Sequence, residues 1–107
     1  MRAPETREQL VTQGPLLLNL ERMTATWRGE LVPLTVTEFW MVHALARHPG
    51  HVKNRAQLME AASVVLDDNS ITSHVKRIRR KFQAQDPDFS AIDTAYGMGY
   101  RWAGQIE

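Results

Sequence analysis

Five basic side chains, Lys76, Arg77, Arg79, Arg80 and Lys81, fall within six residues, and no acid interrupts the chain from Ile71 to Gln85. Ammonium and guanidinium groups at this density make no bonds of their own. They grip phosphates and base edges through charge-assisted hydrogen bonds. The apolar residues around them, Ile71, Val75, Ile78 and Phe82, recur at steps of four, three and four, the spacing of one helical face. At about 100° per residue, Ser73, Lys76, Arg77 and Arg80 fall on the far side. His74 and Lys81 then lie on one flank, Thr72 and Arg79 on the other. Lys76/Arg80 and Arg77/Lys81 are like-charge pairs at i, i+4, each repelling by a few tenths of a kcal/mol. A solvated helix usually mixes acids into such a face, whereas a phosphate backbone would relieve the repulsion. The competing reading is an amphipathic helix whose solvated side happens to be basic.

Residues suited to bond-making chemistry form no comparable pattern. His43, His48 and His51 lie close in sequence, and with Glu38 or Glu60 they could be drawn as a metal site. The chain has no Cys, no H-E-x-x-H and no G-x-S-x-G, and no carboxylate pair has a spacing suited to acid/base work. Gly97-Met98-Gly99 lacks the third glycine and the helix start of a phosphate loop. The expectation is a binding protein, not an enzyme, with no cofactor.

A chain of 107 residues with 43% apolar composition has the size of one small domain with one core, without metal or disulfide. The net charge of +1 hides a division. Residues 1–70 hold seven Lys/Arg and eight Asp/Glu, residues 71–85 five and none, residues 86–107 one and four. The basic character is therefore local, which lets one patch steer a polyanion while the rest of the surface stays near neutral. Apolar stretches such as Phe39–Ala46 are far short of the ~20 residues of a membrane span. Met1–Gln13 is too polar for a secretory signal, and with no Cys a cytoplasmic location is expected.

The elements that must position the basic helix follow in order. Residues 1–14 have no clear period and read as a linker or arm, leaving 15–107 as the domain. L-L-L-N-L, T-A-T-W and L-V-P-L between Leu16 and Leu34 carry strand signals, with a turn at Arg28-Gly29 and a strand end at Pro33. Thr35 and Glu38 form a capping box that opens a helix running to His48, which Pro49-Gly50 stops. Trp40 lies off its main apolar face, so this helix is expected to be buried on two sides. Asn54 and Gln57 repeat the box for a helix from Arg55 to about Ala62. Residues 63–69 read as a loop, with Ser70 as the cap of the basic helix, 71–83. Asp86-Pro87 breaks that helix, and I-D-T-A-Y and Y-R-W flank Gly97–Gly99 as a hairpin whose glycines supply positive φ or close approach. The fold class is α+β: a short N-terminal antiparallel sheet, three helices and a C-terminal β-hairpin wing, the layout of a winged helix-turn-helix. In it a helix of ~10 Å diameter enters the major groove and the hairpin reaches the adjacent minor groove.

Four motifs also resemble the OmpR/PhoB-type effector domains of bacterial two-component response regulators. L-T-V-T-E-F-W-M-V resembles the first-helix signature, G-H-V-K-N-R-A-Q-L the start of helix two, S-I-T-S-H-V-K-R-I-R-R-K-F the recognition helix and T-A-Y-G-M-G-Y-R the wing. Together they cover Leu31 to Trp102. The resemblance implies groove contacts from Ser73 and Arg77, with Lys76, Arg79 and Arg80 shared between bases and phosphates. Ser70, His74 and Arg55 would bind phosphates, and Thr94, Tyr100 and Arg101 match the wing and the strand beside it. From the residues alone, Arg79 could equally pair with an acid near the first helix.

Two positions depart from the family pattern. Thr72 stands where an Asp is common, and Tyr96 where an Arg often enters the minor groove, so Arg101 or Tyr96 itself must do that work or the wing contributes less. The implied partners are double-stranded DNA, RNA polymerase through residues 63–69, and an N-terminal receiver domain phosphorylated by a histidine kinase. The dimer would be weak or DNA-dependent, and no membrane is involved. Alternatives are the DNA-binding domain of a membrane-anchored activator, against which the short tail after Trp102 is set, and a winged-helix protein-interaction module. Recognition of RNA is disfavoured because no stacking aromatics surround the basic helix.

Overall fold

The computed structural model describes residues 9–62 and 68–103. Four short strands, β1 (Leu10–Gln13), β2 (Leu16–Asn19), β3 (Thr24–Trp27) and β4 (Glu30–Val32), form an antiparallel sheet in sequence order. Strand alternation puts Leu16, Leu18, Ala25, Trp27 and Val32 on one face, and all five are buried. Arg28 and Gly29 both take positive φ, 54° and 83°, which suits the twist of a two-residue hairpin between Trp27 and Glu30.

β1 corrects the expectation that residues 1–14 are only a linker or arm. Leu10 to Gln13 pair with Asn19 to Leu16, and the Leu20 N–H extends the ladder to the Gln9 carbonyl at 2.9 Å. The four β1 side chains are exposed or half-exposed. Backbone pairing does most to make this strand; Val11 packs partly against the core, but Leu10 is exposed, so the sequence carries no apolar alternation.

α1 (Val36–Ala46) starts at the expected capping box: the Glu38 N–H donates to Thr35 Oγ1 at 3.2 Å, and the Thr35 N–H to Glu38 Oε1 at 2.9 Å. It ends at Ala46, with Arg47 as C-cap, two residues short of His48. Phe39, Met41, Val42, Ala44, Leu45 and Ala46 are all buried, so α1 is the central helix of the core. Trp40 is half-buried and packs edge-to-face on Phe39. α2 (Arg55–Ala62) has the expected bounds, with reciprocal 2.8 Å bonds between Asn54 and Gln57.

α3 (Asp68–Gln85) begins a turn earlier than expected, so Ser70 lies inside it and is not its cap. Asp67, Asp68, Asn69 and Ser70 are four successive good capping types, and nothing in their order selects one. Of the expected 63–69 loop, residues 63–67 lie outside the described residues and 68–69 are helical. Ile71, Val75, Ile78 and Phe82 are almost wholly buried, as their spacing requires.

β5 (Ile92–Ala95) and β6 (Gly99–Trp102) form the hairpin, with Ile92 opposite Trp102. Trp27, Phe82, Phe89 and Trp102 join sheet, α3 and hairpin in one aromatic cluster, Phe82 stacking on Phe89 at 4.5 Å. The Trp27 indole N–H donates to Asp86 Oδ2 at 2.9 Å, and an Arg28 guanidinium nitrogen lies 3.4 Å from the same oxygen. The indole bond, with help from the Asp88 N–H and Arg28, holds the Asp86 carboxyl below the usual carboxylate range despite its burial.

Candidate nucleic-acid interface

The outer face of α3 is what the 3.6-residue period predicts. Ser73, Lys76, Arg77 and Arg80 are exposed and line one shallow surface depression. Among the described residues no carboxylate lies within ion-pair distance of these three cations. The face is charged and unneutralised, the state that a phosphate backbone satisfies.

The flanks of the same helix behave differently. Lys81 Nζ reaches Glu38 Oε1 at 2.6 Å, tying α3 to α1. Burial alone would raise the Glu38 carboxyl, but the Lys81 bond, the Thr35 N–H and the charges of Lys81 and Arg77 outweigh it and lower the carboxyl below its usual range. The acid near the first helix thus pairs with Lys81 and not with Arg79.

Arg79 is half-buried and turned toward the hairpin. Its Nε and Nη2 donate to the Ile92 carbonyl at 3.2 and 2.7 Å, Nη2 donates to Thr94 Oγ1 at 2.9 Å, and the guanidinium sits 5.8 Å from the Tyr100 ring centroid. Two of the three guanidinium nitrogens of Arg79 are thus committed to the wing, while the side chain also lines the cleft between α2, α3 and the hairpin. Tyr100 is largely buried under this guanidinium and lines the floor of the cleft between α2, α3 and the wing. The Thr94 hydroxyl is half-buried and already accepts from Arg79.

A second tie was not visible in the sequence. The Lys53 N–H donates to the Tyr100 carbonyl at 2.7 Å and the Tyr100 N–H to the Lys53 carbonyl at 3.0 Å, so the link between α1 and α2 forms a one-residue third strand on the wing. A Cβ at Gly99 would collide with the Lys53 carbonyl, which is why that glycine is needed; Gly97, at φ +79°, makes the turn.

The remaining expected residues lie around this frame. Arg55, in the first turn of α2, is half-buried, and its Nε has no hydrogen-bond partner among the described residues. With Thr72, Lys76, Tyr96 and Gly97 it lines a cleft of about 300 Å³ between α2, α3 and the wing. His74 is held by a 2.7 Å bond between its Nδ1 and the Ser70 carbonyl, so that nitrogen carries the proton and both residues are half-buried. Arg101 is exposed and lies 3.5 Å from Asp93 across the hairpin. Tyr96 stands at the tip, 91% exposed, beside Met98, which the sequence did not single out.

An exposed basic helix, set by two capped helices and flanked by a hairpin, defines a winged helix-turn-helix domain. The chain belongs to the family described as transcriptional regulatory protein, C-terminal, which matches residues 29–102. The transcriptional regulatory protein BaeR of Escherichia coli O6:H1 is 38% identical over 98 residues, covering 89% of this chain and 41% of BaeR. The chain thus spans under half of that relative. Among solved structures, the DNA-binding domain of CpxR from E. coli is 29% identical with a TM-score of 0.79, covering 92% of this chain and 99% of that one. The RstA DNA-binding domain of Klebsiella pneumoniae, solved in complex with the RstA box, is 26% identical with a TM-score of 0.75, covering 89% and 97%.

Proposed function

We propose that this chain binds double-stranded DNA sequence-specifically, as the effector domain of a two-component transcriptional regulator. The observation that carries the reading is the unneutralised outer face of α3. Ser73 and Arg77 are placed to read base edges in the major groove, and Lys76 and Arg80 to contact bases or phosphates. Arg55 supplies a phosphate contact from the cleft, where the partly positive N-terminus of α2 adds to its charge. His74 and Ser70 contribute backbone contacts from the start of α3, and Arg101 contributes charge from the wing. The complete regulator carries a receiver domain answering to a histidine kinase and acts in the cytoplasm. Two copies bind half-sites about one helical turn, ~10 bp, apart, dimerising weakly or only on DNA. Residues 63–69 are the candidate contact with RNA polymerase.

Selection of bound duplexes from a random pool tests this, followed by affinity measurement at several salt concentrations. Neutralising about four to six phosphates gives a slope of log K against log salt near −4 to −5. A flat salt dependence, or no sequence enriched over the pool, sinks the reading.

A further inference from the structure

Arg55 is a cation that the domain positions and leaves without a bond. It forms no ion pair among the described residues, and its Nε is shut away from water with no acceptor beside it. A buried donor in that state costs its full desolvation, so the side chain gains from any oxygen brought to it. The cleft in front of it shows the same imbalance. Lys76 and Arg79 line it too, Thr72, Thr94 and Tyr100 add hydroxyls, and no acid lines it among the described residues. Arg79 commits Nε and Nη2 to the wing, and its Nη1 makes no hydrogen bond among the described residues. The start of α2 is already capped by Asn54 and Gln57, so charged side chains rather than a free helix end make the site. Its shape also differs from the outer face of α3. The cleft lies between three elements and holds about 300 Å³, the lower end for a small-ligand site, whereas Lys76, Arg77 and Arg80 share only a shallow depression.

We propose that this cleft binds one free phosphate group, inorganic phosphate or a small phosphomonoester, without DNA, and that its occupant excludes the duplex. Three converging cations suit a dianion, and guanidinium and ammonium groups bond phosphate oxygens through charge-assisted hydrogen bonds. The Thr94 hydroxyl accepts from Arg79 and keeps its own proton to donate. Tyr96, exposed at the rim, flanks the organic part of a phosphomonoester. Exclusion of the duplex rests on the DNA-binding reading, which turns Arg55 and Lys76 toward the same polyanion; the free-anion site does not. A phosphate-bearing small molecule then acts on the effector domain directly.

The test follows melting of the wild-type chain against inorganic phosphate, phenyl phosphate and chloride at one fixed ionic strength. Phosphate should raise the melting temperature along a saturating curve with a half-point on the order of 1 mM, and chloride should not. A lower half-point for phenyl phosphate assigns the cleft to organic phosphates, an equal or higher one to the inorganic ion. Arg55→Ala should raise the half-point about tenfold or more, whereas Arg77→Ala on the outer face should leave it in place. Thr72→Asp, a second variant, puts a carboxylate inside the cleft. It should remove the phosphate response and raise the melting temperature in phosphate-free buffer. At ten times the half-point, fluorescence anisotropy should show the wild type binding its selected duplex about tenfold more weakly.

An absent or non-saturating response to phosphate overturns the site, as does one that Arg77→Ala weakens as much as Arg55→Ala. A saturating response that leaves duplex affinity unchanged overturns the exclusion. Failure of the wild type to bind any duplex overturns the DNA-binding reading instead, and leaves the anion site standing on its melting curve.

Discussion

Lys76, Arg77 and Arg80 are exposed and form no ion pair among the described residues, while Arg79 and Lys81, interleaved with them on the same helix, bond to the wing and to α1. The residue types are the same and the sequence spacing is one or two. What separates them is angle: about 100° per residue turns Arg79 toward the wing and Lys81 toward α1. A count of positive charge therefore overstates the reading surface. Two of the five cations bond across to other elements of the domain, and three line its exposed outer face.

This division can be broken experimentally, first at its most buried point. Lys81→Ala strands the Glu38 carboxylate, whose other oxygen already lacks a hydrogen-bond partner among the described residues. The expected loss is on the order of 3 kcal/mol of unfolding free energy in urea, with the salt slope of DNA binding unchanged. pH sharpens the same comparison. The folded Glu38 and Asp86 carboxyls lie below their ordinary values. Their stabilisation is therefore present above the unfolded pKa and lost as pH falls through and below the ordinary carboxylate range near 4. Without Lys81, burial dominates Glu38 and the acid loss should begin at higher pH. An acid transition identical in wild type and Lys81→Ala would show that the pair does not matter.

Arg79→Ala should cost about 2 kcal/mol and speed amide exchange in β5 and β6 more than in β1 to β4. Arg79→Lys should not rescue it, since an ammonium cannot bond the Ile92 carbonyl and Thr94 hydroxyl as a planar fork does. Unchanged exchange in the wing would return Arg79 to the reading surface.

Arg77→Ala should leave stability within about 0.5 kcal/mol while costing about 1–3 kcal/mol on the preferred site and relaxing its sequence preference. Arg55→Ala should weaken all duplexes alike. Equal loss for Arg77→Ala on specific and random DNA would make it a phosphate contact. The smallest effect is Asp93→Ala: its exposed pair with Arg101 contributes less than about 0.5 kcal/mol to stability.

Much of this was legible because helical period and caps are local signals. Thr35/Glu38, Asn54/Gln57 and the Ile71–Phe82 spacing each lie within a short window, and each gave the element that forms. β1 was illegible because its alternation of exposed and half-buried positions, with Leu10 out and Gln13 in, does not follow the residue types, and the start of α3 because four capping residues compete. At the interface, the outward residues followed from angle alone. The roles of Arg79, Lys81 and Tyr100 did not, since they depend on which element sits beside each flank. The exposed Met98 could have been noticed as a large apolar residue between two turn glycines, a place where the core cannot reach it.

The pairing of Lys53 with Tyr100 has a consequence for the order of assembly. Every hairpin of the N-terminal sheet closes between neighbouring strands, whereas this bridge joins the middle of the chain to a point near its end. Short loops close readily and long ones pay more entropy before any contact rewards them. On a ribosome, a nascent chain that stops before Gly99 already contains all three helices and Lys53, yet lacks β6 and so the Tyr100 that pairs with it. The exposed basic surface is thus completed by β6, which emerges after all three helices, and a product terminated before it would be helical without an assembled wing.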